Sequence, residues 1–377
     1  MQQARSSLGK CSNYYRNNII YQNMKGKYYI RTNGRANAWP LFIGSEHPFY
    51  SAANPDDLSN ASFSIIMSDS EKFTSESIRW EVLVDAGNNT ASYIIRHENR
   101  IPETIVLTHP HMDHSLGVDW IAQSYYYKYD KKRKYPLYAT SPCWEIVRQS
   151  YPNLAHIIDF KELKPGVTTS IDEVDDLQVT AFPVFHGESA FGASLLVFEV
   201  IETQLHSKAV FTGDMLCPLL RKKDYQFLKN ASVIYIDCNN RFSYPKSNHG
   251  SIITTMPENS AESKYLTQWK KEIYLSHLIA PQLERNYDPA KHSYFDEFIS
   301  DNSDILTIPF SIIDFIKMTN IPEVKLVHYS GYEDKKIYNQ KLLSARELES
   351  FANEKASLYK LKSNFSVPET GDVFILG

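Results

Sequence analysis

Only four cysteines occur in 377 residues, at Cys11, Cys143, Cys217 and Cys238, and no two form a CxxC pair. This argues against a disulfide framework or a zinc ribbon, and a reducing, cytoplasmic setting is the expectation. No apolar run approaches the ~20 residues that a membrane helix needs, so no membrane partner is expected. The opening residues, MQQARSSLGK, lack the apolar core of a signal peptide. A basic surplus is missing too. Lys and Arg number 40 against 44 Asp and Glu, which gives a net charge of −4 and a pI near 6.3. A nucleic acid gripped by a broad basic face would require far more positive charge, so none is expected as partner. There is no internal repeat of 20–50 residues and no low-complexity tract. What is present is ordinary for a globular chain: 42% hydrophobic residues and 13% aromatics, including 25 Tyr and 19 Phe. A chain this long can bury about three quarters of its unfolded surface, as two units or as one large domain with insertions.

Along the chain, residues 1–60 are rich in Asn, Tyr, Ser, Gly and Pro and hold one expected strand, 27–32. From residue 61 the texture changes. Strands are predicted at 61–67, 79–85, 103–109, 136–140, 177–185, 193–200, 208–213, 231–237 and 323–327, with a closing strand within 371–377. Helices are predicted at 90–98, 115–129 and 142–150, then largely throughout 260–318. A last helix begins near Ser344, where Ser344-Ala-Arg-Glu347 forms a capping box. Many strands with interspersed helices, some strands linked directly, predict an α/β chain with two sheets flanked by helices.

The sharpest feature is Thr108-His109-Pro110-His111-Met112-Asp113-His114, directly after a near-continuous apolar strand. Imidazole and carboxylate are the donors of choice for Zn²⁺, Mn²⁺ or Fe²⁺. Two donors at i and i+2 can grip one ion from an extended loop, and the next two can grip a second beside it. His is 12 of 377 residues, about 0.03 per position, so three fixed His would arise by chance in about one such chain in a hundred.

HxHxDH after a buried strand, preceded by a strand ending in Asp85-Ala-Gly87, resembles the metallo-β-lactamase-fold hydrolases. Three further motifs follow in family order at predicted strand ends: Phe185-His186-Gly187, Phe211-Thr212-Gly213-Asp214 and Val327-His328-Tyr329-Ser330. The resemblance implies a four-layer αββα sandwich and two divalent transition-metal ions, zinc first, with manganese or iron as alternatives. One ion would sit on His109, His111, His186 and Asp214, the other on Asp113, His114, Asp214 and His328. Asp214 would bridge, and Asp85 would orient ligands from behind. The catalytic domain would comprise 61–250 and 323–377, with 1–60 packed on it.

His-Gly followed by Ala-Phe-Gly192 looks like the phosphodiesterase branch, which includes tRNase Z and the cyclic-phosphate phosphodiesterase of phosphonate breakdown. In that branch a strand with a polar end, here Ile236-Asp237-Cys238-Asn239, precedes a non-ligand His facing the phosphate. His249 is that residue here, as general acid or electrostatic partner; the alternative is a loop His capping a following helix. The catalytic candidates are thus Asp113, His249 and Asp85. Two features depart from tRNase Z. Only 28 residues (214 − 186) separate the third and fourth motifs, too few for a tRNA-clamping arm, and Asp237-Cys-Asn-Asn replaces its His-Glu-Ala-Thr stretch. The structural-zinc Cys cluster of some cyclic-phosphate phosphodiesterases is also missing. Residues 251–322 form a helical insertion. Tyr265, Leu266, Trp269, Ile273, Tyr274 and Leu278 recur there at 3–4 spacing, as core packing or as a lid or homodimer element. The expected activity is hydrolysis of a small, possibly cyclic, phosphodiester. Hydrolysis of a thioester, lactone or other carbonyl ester is the alternative, and tRNA 3′ processing ranks behind both.

Overall fold

The computed structural model describes residues 27–37, 47–51, 53–70, 73–97, 99–202, 205–244, 247–254, 293–303 and 307–376. Of the helical stretch expected at 260–318, residues 260–292, with Trp269 and its neighbours, lie outside the described residues, as does Cys11.

In chain order the first sheet takes β1 (Lys27–Gly34), β2 (Ser62–Ser68), β3 (Ile78–Val84), β4 (Thr104–Val106), β5 (Tyr135–Ala139) and β6 (Ile158–Glu162). The second takes β7 (Thr168–Ser170), β8 (Leu177–Phe185), β9 (Ser194–Glu202), β10 (Leu205–Phe211), β11 (Cys217–Pro218), β12 (Val233–Asp237), β15 (Glu323–Val327) and β16 (Asn364–Ser366). β13 (Asn240–Phe242) and β14 (Ser251–Ile253) pair with each other, and β17 (Val373–Leu376) returns to the first sheet beside β1. The orders are β17-β1-β2-β3-β4-β5-β6 and β11-β8-β9-β10-β12-β15-β16, with β7 on β8. Each sheet is antiparallel on one side and parallel on the other; the change comes at β3–β4 and at β10–β12.

The central parallel strands β4, β5 and β12 are buried along their whole length, as strands covered on both faces must be. One face of each sheet meets the other through Tyr28, Phe63, Trp80, Val82 and Val106 against Val179, Leu196, Phe198, Phe211 and Tyr235. The outer face of the first sheet is covered by α1 (Thr90–His97), α3 (Val118–Lys128) and α4 (Ser141–Ser150), through Tyr93, Ile121 and Val147 among others. The outer face of the second carries α5 (Lys222–Leu228), α6 (Ser293–Asp301), α7 (Ile312–Thr319) and α9 (Ala345–Leu358), through Leu228, Phe298, Phe315 and Leu348. The result is the expected four-layer αββα arrangement. α6 and α7 belong to the 251–322 segment, and their Phe295, Phe298 and Phe315 are buried in that outer core. Local chemistry fixes the helix ends. Thr140 caps α4, Ser311 caps α7, and Ser344 with Glu347 closes a reciprocal box at α9.

Two differences from expectation bear on the site. β4 stops at Val106 because the Thr108 N–H donates to the Asp85 side chain instead of a neighbouring strand. The helix expected at 115–129 is split into a single turn, α2 (Met112–Ser115), and α3. Among the described residues no helix is long and apolar enough to cross a membrane.

Candidate metal centre

The parallel strands end along one edge of the sandwich, where side chains from both sheets converge. Asp85 follows β3, His109–His114 follow β4, His186 follows β8, Asp214 follows β10 and His328 follows β15. Asp85 and His328 both sit at positive φ, 57° and 67°, a conformation that costs a non-glycine residue on the order of 1 kcal/mol or more and collects at functional sites. The His328 N–H donates to the Arg35 carbonyl at 2.9 Å, which ties that turn to β1. Gly87 is required by close approach: a Cβ there would lie 1.7 Å from the Asp113 carbonyl oxygen.

All seven predicted ligands come together, in two donor groups that share Asp214: His109, His111, His186 and Asp214, and Asp113, His114, Asp214 and His328. Within each group the ligand atoms lie within 4.8 Å of one another. In the first, His186 Nε2 is 3.5 Å and His109 Nε2 3.7 Å from Asp214 Oδ2, and His186 Nε2 is 3.1 Å from His111 Nδ1. In the second, His114 Nε2 is 3.3 Å from Asp214 Oδ1 and 3.5 Å from Asp113 Oδ2. His328 Nε2 is 3.4 Å from Asp214 Oδ2 and 3.3 Å from Asp113 Oδ2. Donors around a tetrahedral ion at ~2.1 Å stand roughly 3.4 Å apart, so this spacing fits divalent cations.

Hydrogen bonding on the far side of the rings supports the same fit. Asp85 accepts from Thr108 N at 2.8 Å, from the Thr108 hydroxyl at 2.7 Å and from His114 Nδ1 at 2.8 Å. The Thr108 hydroxyl has one proton and spends it on Asp85, so His109 Nδ1, 3.0 Å away, is the donor in its bond to Thr108. His186 Nδ1 donates to the Asn248 carbonyl at 2.8 Å. Each of these rings therefore turns an Nε2 lone pair inward. His109 Nε2 and His114 Nε2 are buried and have no hydrogen-bond partner among the described residues, an expensive state unless a cation takes the lone pair.

The electrostatics agree. Burial, then the nearby His249 and His111, push His186 down to about 3 despite Asp214, so it is held as the neutral ligand form. Burial opposes charge on His114, yet Asp214, Asp113 and Asp85 outweigh it and raise the pKa well above normal, as expected of an anionic nest that calls for positive charge.

His249 stands beside this cluster. Its Nδ1 donates to Asp237 Oδ2 at 3.0 Å, and its ring stacks on His328 with centroids 5.2 Å apart. The segment after it is strand β14, so no helix begins there for the ring to cap. Burial disfavours its charge, but Asp237 and then Asp214 overcome this and push the pKa up to about 9. Asp237 Oδ2 also accepts from the Met215 and Gly250 N–H groups, and its Oδ1 is 3.7 Å from His328 Nδ1. The sequence placed Asp237 at a strand end but gave it no role.

Five of the donors (His111, Asp113, His186, Asp214 and His328) and His249 line a cavity of about 220 Å³ together with Asn37, Asn239, Asn248, Ser330, Tyr332 and Glu333. Sequence reasoning gave none of these additional residues a role, although Ser330, Asn239 and Asn248 stand within or beside the motifs of His328, Asp237 and His249. Ser189, whose hydroxyl is 3.0 Å from His111 Nε2, was missed too.

Residues 80–262 match the model of a family described as a beta-lactamase superfamily domain. No curated protein matches the chain in sequence. In fold it is similar to a diphosphatase from the PhnP family, at 11% identity over 92% of this chain and 97% of that one, with a TM-score of 0.55. It is similar to YhfI from Bacillus subtilis at 11% identity, covering 93% and 99%, with a TM-score of 0.53. Unliganded yeast PDE1 aligns at 12% identity over 93% and 100%, with a TM-score of 0.52.

Proposed function

The chain has the metallo-β-lactamase fold, and from that premise we propose that it is a metal-dependent hydrolase whose substrate is a small phosphodiester, cyclic or open. His109, His111, His186 and Asp214 would hold one divalent ion, and Asp113, His114, Asp214 and His328 a second. When bound, such ions supply Lewis acidity toward a phosphoryl oxygen and bring the pKa of water near neutrality. With two divalent cations against Asp113 and Asp214 the cluster keeps a net positive charge, which suits a phosphodiester monoanion.

The observation that carries the reading is His249. Asp237 occupies its Nδ1, which leaves Nε2 as the ring nitrogen available to a ligand in the cavity that His249 lines. When protonated at that nitrogen, the ring can hand the proton to a departing alkoxide. Asp237 fixes the tautomer and stabilises the charged ring, while Thr108 and Asp85 keep the inward lone pairs of His109 and His114 available. A thioester leaves as a thiolate and has little need of such an acid, which ranks thioester hydrolysis second; a lactone or other ester leaves as an alkoxide, and the panel below separates it from a phosphodiester.

The test is a panel assay with Zn²⁺- or Mn²⁺-supplemented protein on a chromogenic phosphodiester, cyclic mononucleotides, a thioester and a lactone. Phosphodiesters should be turned over fastest. A thioester or lactone that outpaces them would overturn the assignment.

A further inference from the structure

The cavity wall beyond the donors and His249 has a distinct chemistry. Asn37, Asn239, Asn248, Ser330, Tyr332 and Glu333 all carry hydrogen-bonding side chains, and among the described lining residues there is neither a Lys or Arg nor an aliphatic side chain. Glu333 lies on the short helix α8 (Tyr332–Lys336), which starts at Gly331 with φ 60°. One carboxylate oxygen accepts from Asn240 Nδ2 at 2.7 Å, which aims the group, while the other takes no hydrogen bond from the described residues. Asn239 is only 6% exposed, its carbonyl accepts from the Ser330 and Gly331 N–H groups, and its side-chain amide has no partner among the described residues. A fixed carboxylate and a nearly buried amide thus line the same small space with hydrogen-bonding capacity that no described residue uses and that is open to a ligand.

Resting on the phosphodiester reading, we propose that the part of the substrate away from the reacting phosphorus is a hydroxyl-bearing group, a sugar or polyol, read by Glu333 and Asn239. A hydroxyl is donor and acceptor at once. It gives its proton to the Glu333 carboxylate and takes one from the Asn239 amide, so both are satisfied together. An ammonium is a donor only and leaves the Asn239 N–H groups unpaired. A second phosphate or a carboxylate would face Glu333 with no cation to offset the repulsion. An apolar group would bury Glu333 and Asn239 with nothing to bond.

Calorimetry on the metal-loaded full chain separates these cases, with glycerol 1-phosphate, propyl phosphate and 2-aminoethyl phosphate as probes. Glycerol 1-phosphate should bind roughly tenfold to a hundredfold tighter than propyl phosphate, the usual effect of hydrogen bonds to a charged group. In Glu333→Gln and in Asn239→Ala that ratio should fall toward one, with metal content and circular dichroism unchanged. Equal binding of all three probes by the wild-type protein, or a ratio that survives both substitutions, refutes the inference alone. Tightest binding of 2-aminoethyl phosphate refutes it in favour of an ammonium. Binding of none of the three while a chromogenic phosphodiester is still hydrolysed refutes the inference alone; no binding together with no phosphodiester hydrolysis refutes the phosphodiester reading along with it.

Discussion

Asp85→Asn is close to isosteric yet reverses the hydrogen bonding behind the metal centre. The native carboxylate is 2% exposed and accepts from three donors, Thr108 N, the Thr108 hydroxyl and His114 Nδ1, at 2.7–2.8 Å. An asparagine supplies one acceptor oxygen and one NH₂ group. If the oxygen faces Thr108 N, the NH₂ faces His114 Nδ1, and the ring must carry its proton on Nε2, the atom aimed at Asp214. If the amide is flipped, its N–H meets the Thr108 N–H. Either way the ring loses the tautomer that presents a lone pair, or a buried donor is left unpaired at about 1–3 kcal/mol. Loss of such an orienting partner lowers metal affinity by about 10–100-fold, or roughly 1.4–2.8 kcal/mol. Chelator competition with Zn²⁺ on the folded variant measures this. Thr108→Val is the control: it removes the acceptor of His109 Nδ1 but leaves the Asp85–His114 bond, so it should weaken only the ion held by His109. Asp85→Asn binding every ion as tightly as wild type would refute the tautomer argument.

Other substitutions test separate parts of the site. Asp214→Ala should lose at least one ion by elemental analysis, because Asp214 alone belongs to both donor groups; wild-type metal content in that variant would dismiss the bridging role. His249→Ala should keep its metals and slow phosphodiester hydrolysis by roughly 10²–10⁴-fold. The loss should be greater for a ribose leaving group than for a nitrophenolate, and equal losses would reduce His249 to a positioning role. His47 is buried with both ring nitrogens engaged: Nε2 donates to the Ser330 carbonyl at 2.8 Å and Nδ1 accepts from Phe49 N at 3.1 Å. Burial pushes its pKa down to about 4. Because the folded value lies below the unfolded one, the contribution is complete above about pH 6.5 and is lost as pH falls toward 4, up to roughly 3 kcal/mol. Denaturant unfolding should show wild type losing stability faster than His47→Gln between pH 7 and 5, and parallel losses would rule the effect out.

How far the sequence carried depended on whether the signal was local. The seven donors were legible because ligand residue types recur at strand ends, and a long apolar strand is readable from its own residues. β8 was placed at 177–185 as found, and the Ser344 box marks the start of α9. Elements of few residues escaped. β6 reads Ile-Asp-Phe-Lys-Glu and α5 reads Lys-Lys-Asp-Tyr-Gln-Phe-Leu, and neither is long enough for a period to emerge. β4 read as seven residues because Leu107 and Thr108 look like strand, while a side chain from the neighbouring strand end decided where it stopped. The cavity wall was illegible for a different reason. Asn37 and Tyr332 line one space although 295 positions separate them (332 − 37), and neutral residues of this kind carry no local mark of chemistry until the sheets close.

The central claim, phosphodiester hydrolysis that depends on two ions, is tested most directly by metal titration of chelator-stripped protein. Hydrolysis of a chromogenic phosphodiester is followed as Zn²⁺ or Mn²⁺ is added. Activity should be absent at the start and saturate at two ions per chain. Full activity without metal, saturation at a single ion, or no phosphodiester hydrolysis at any loading would contradict the account.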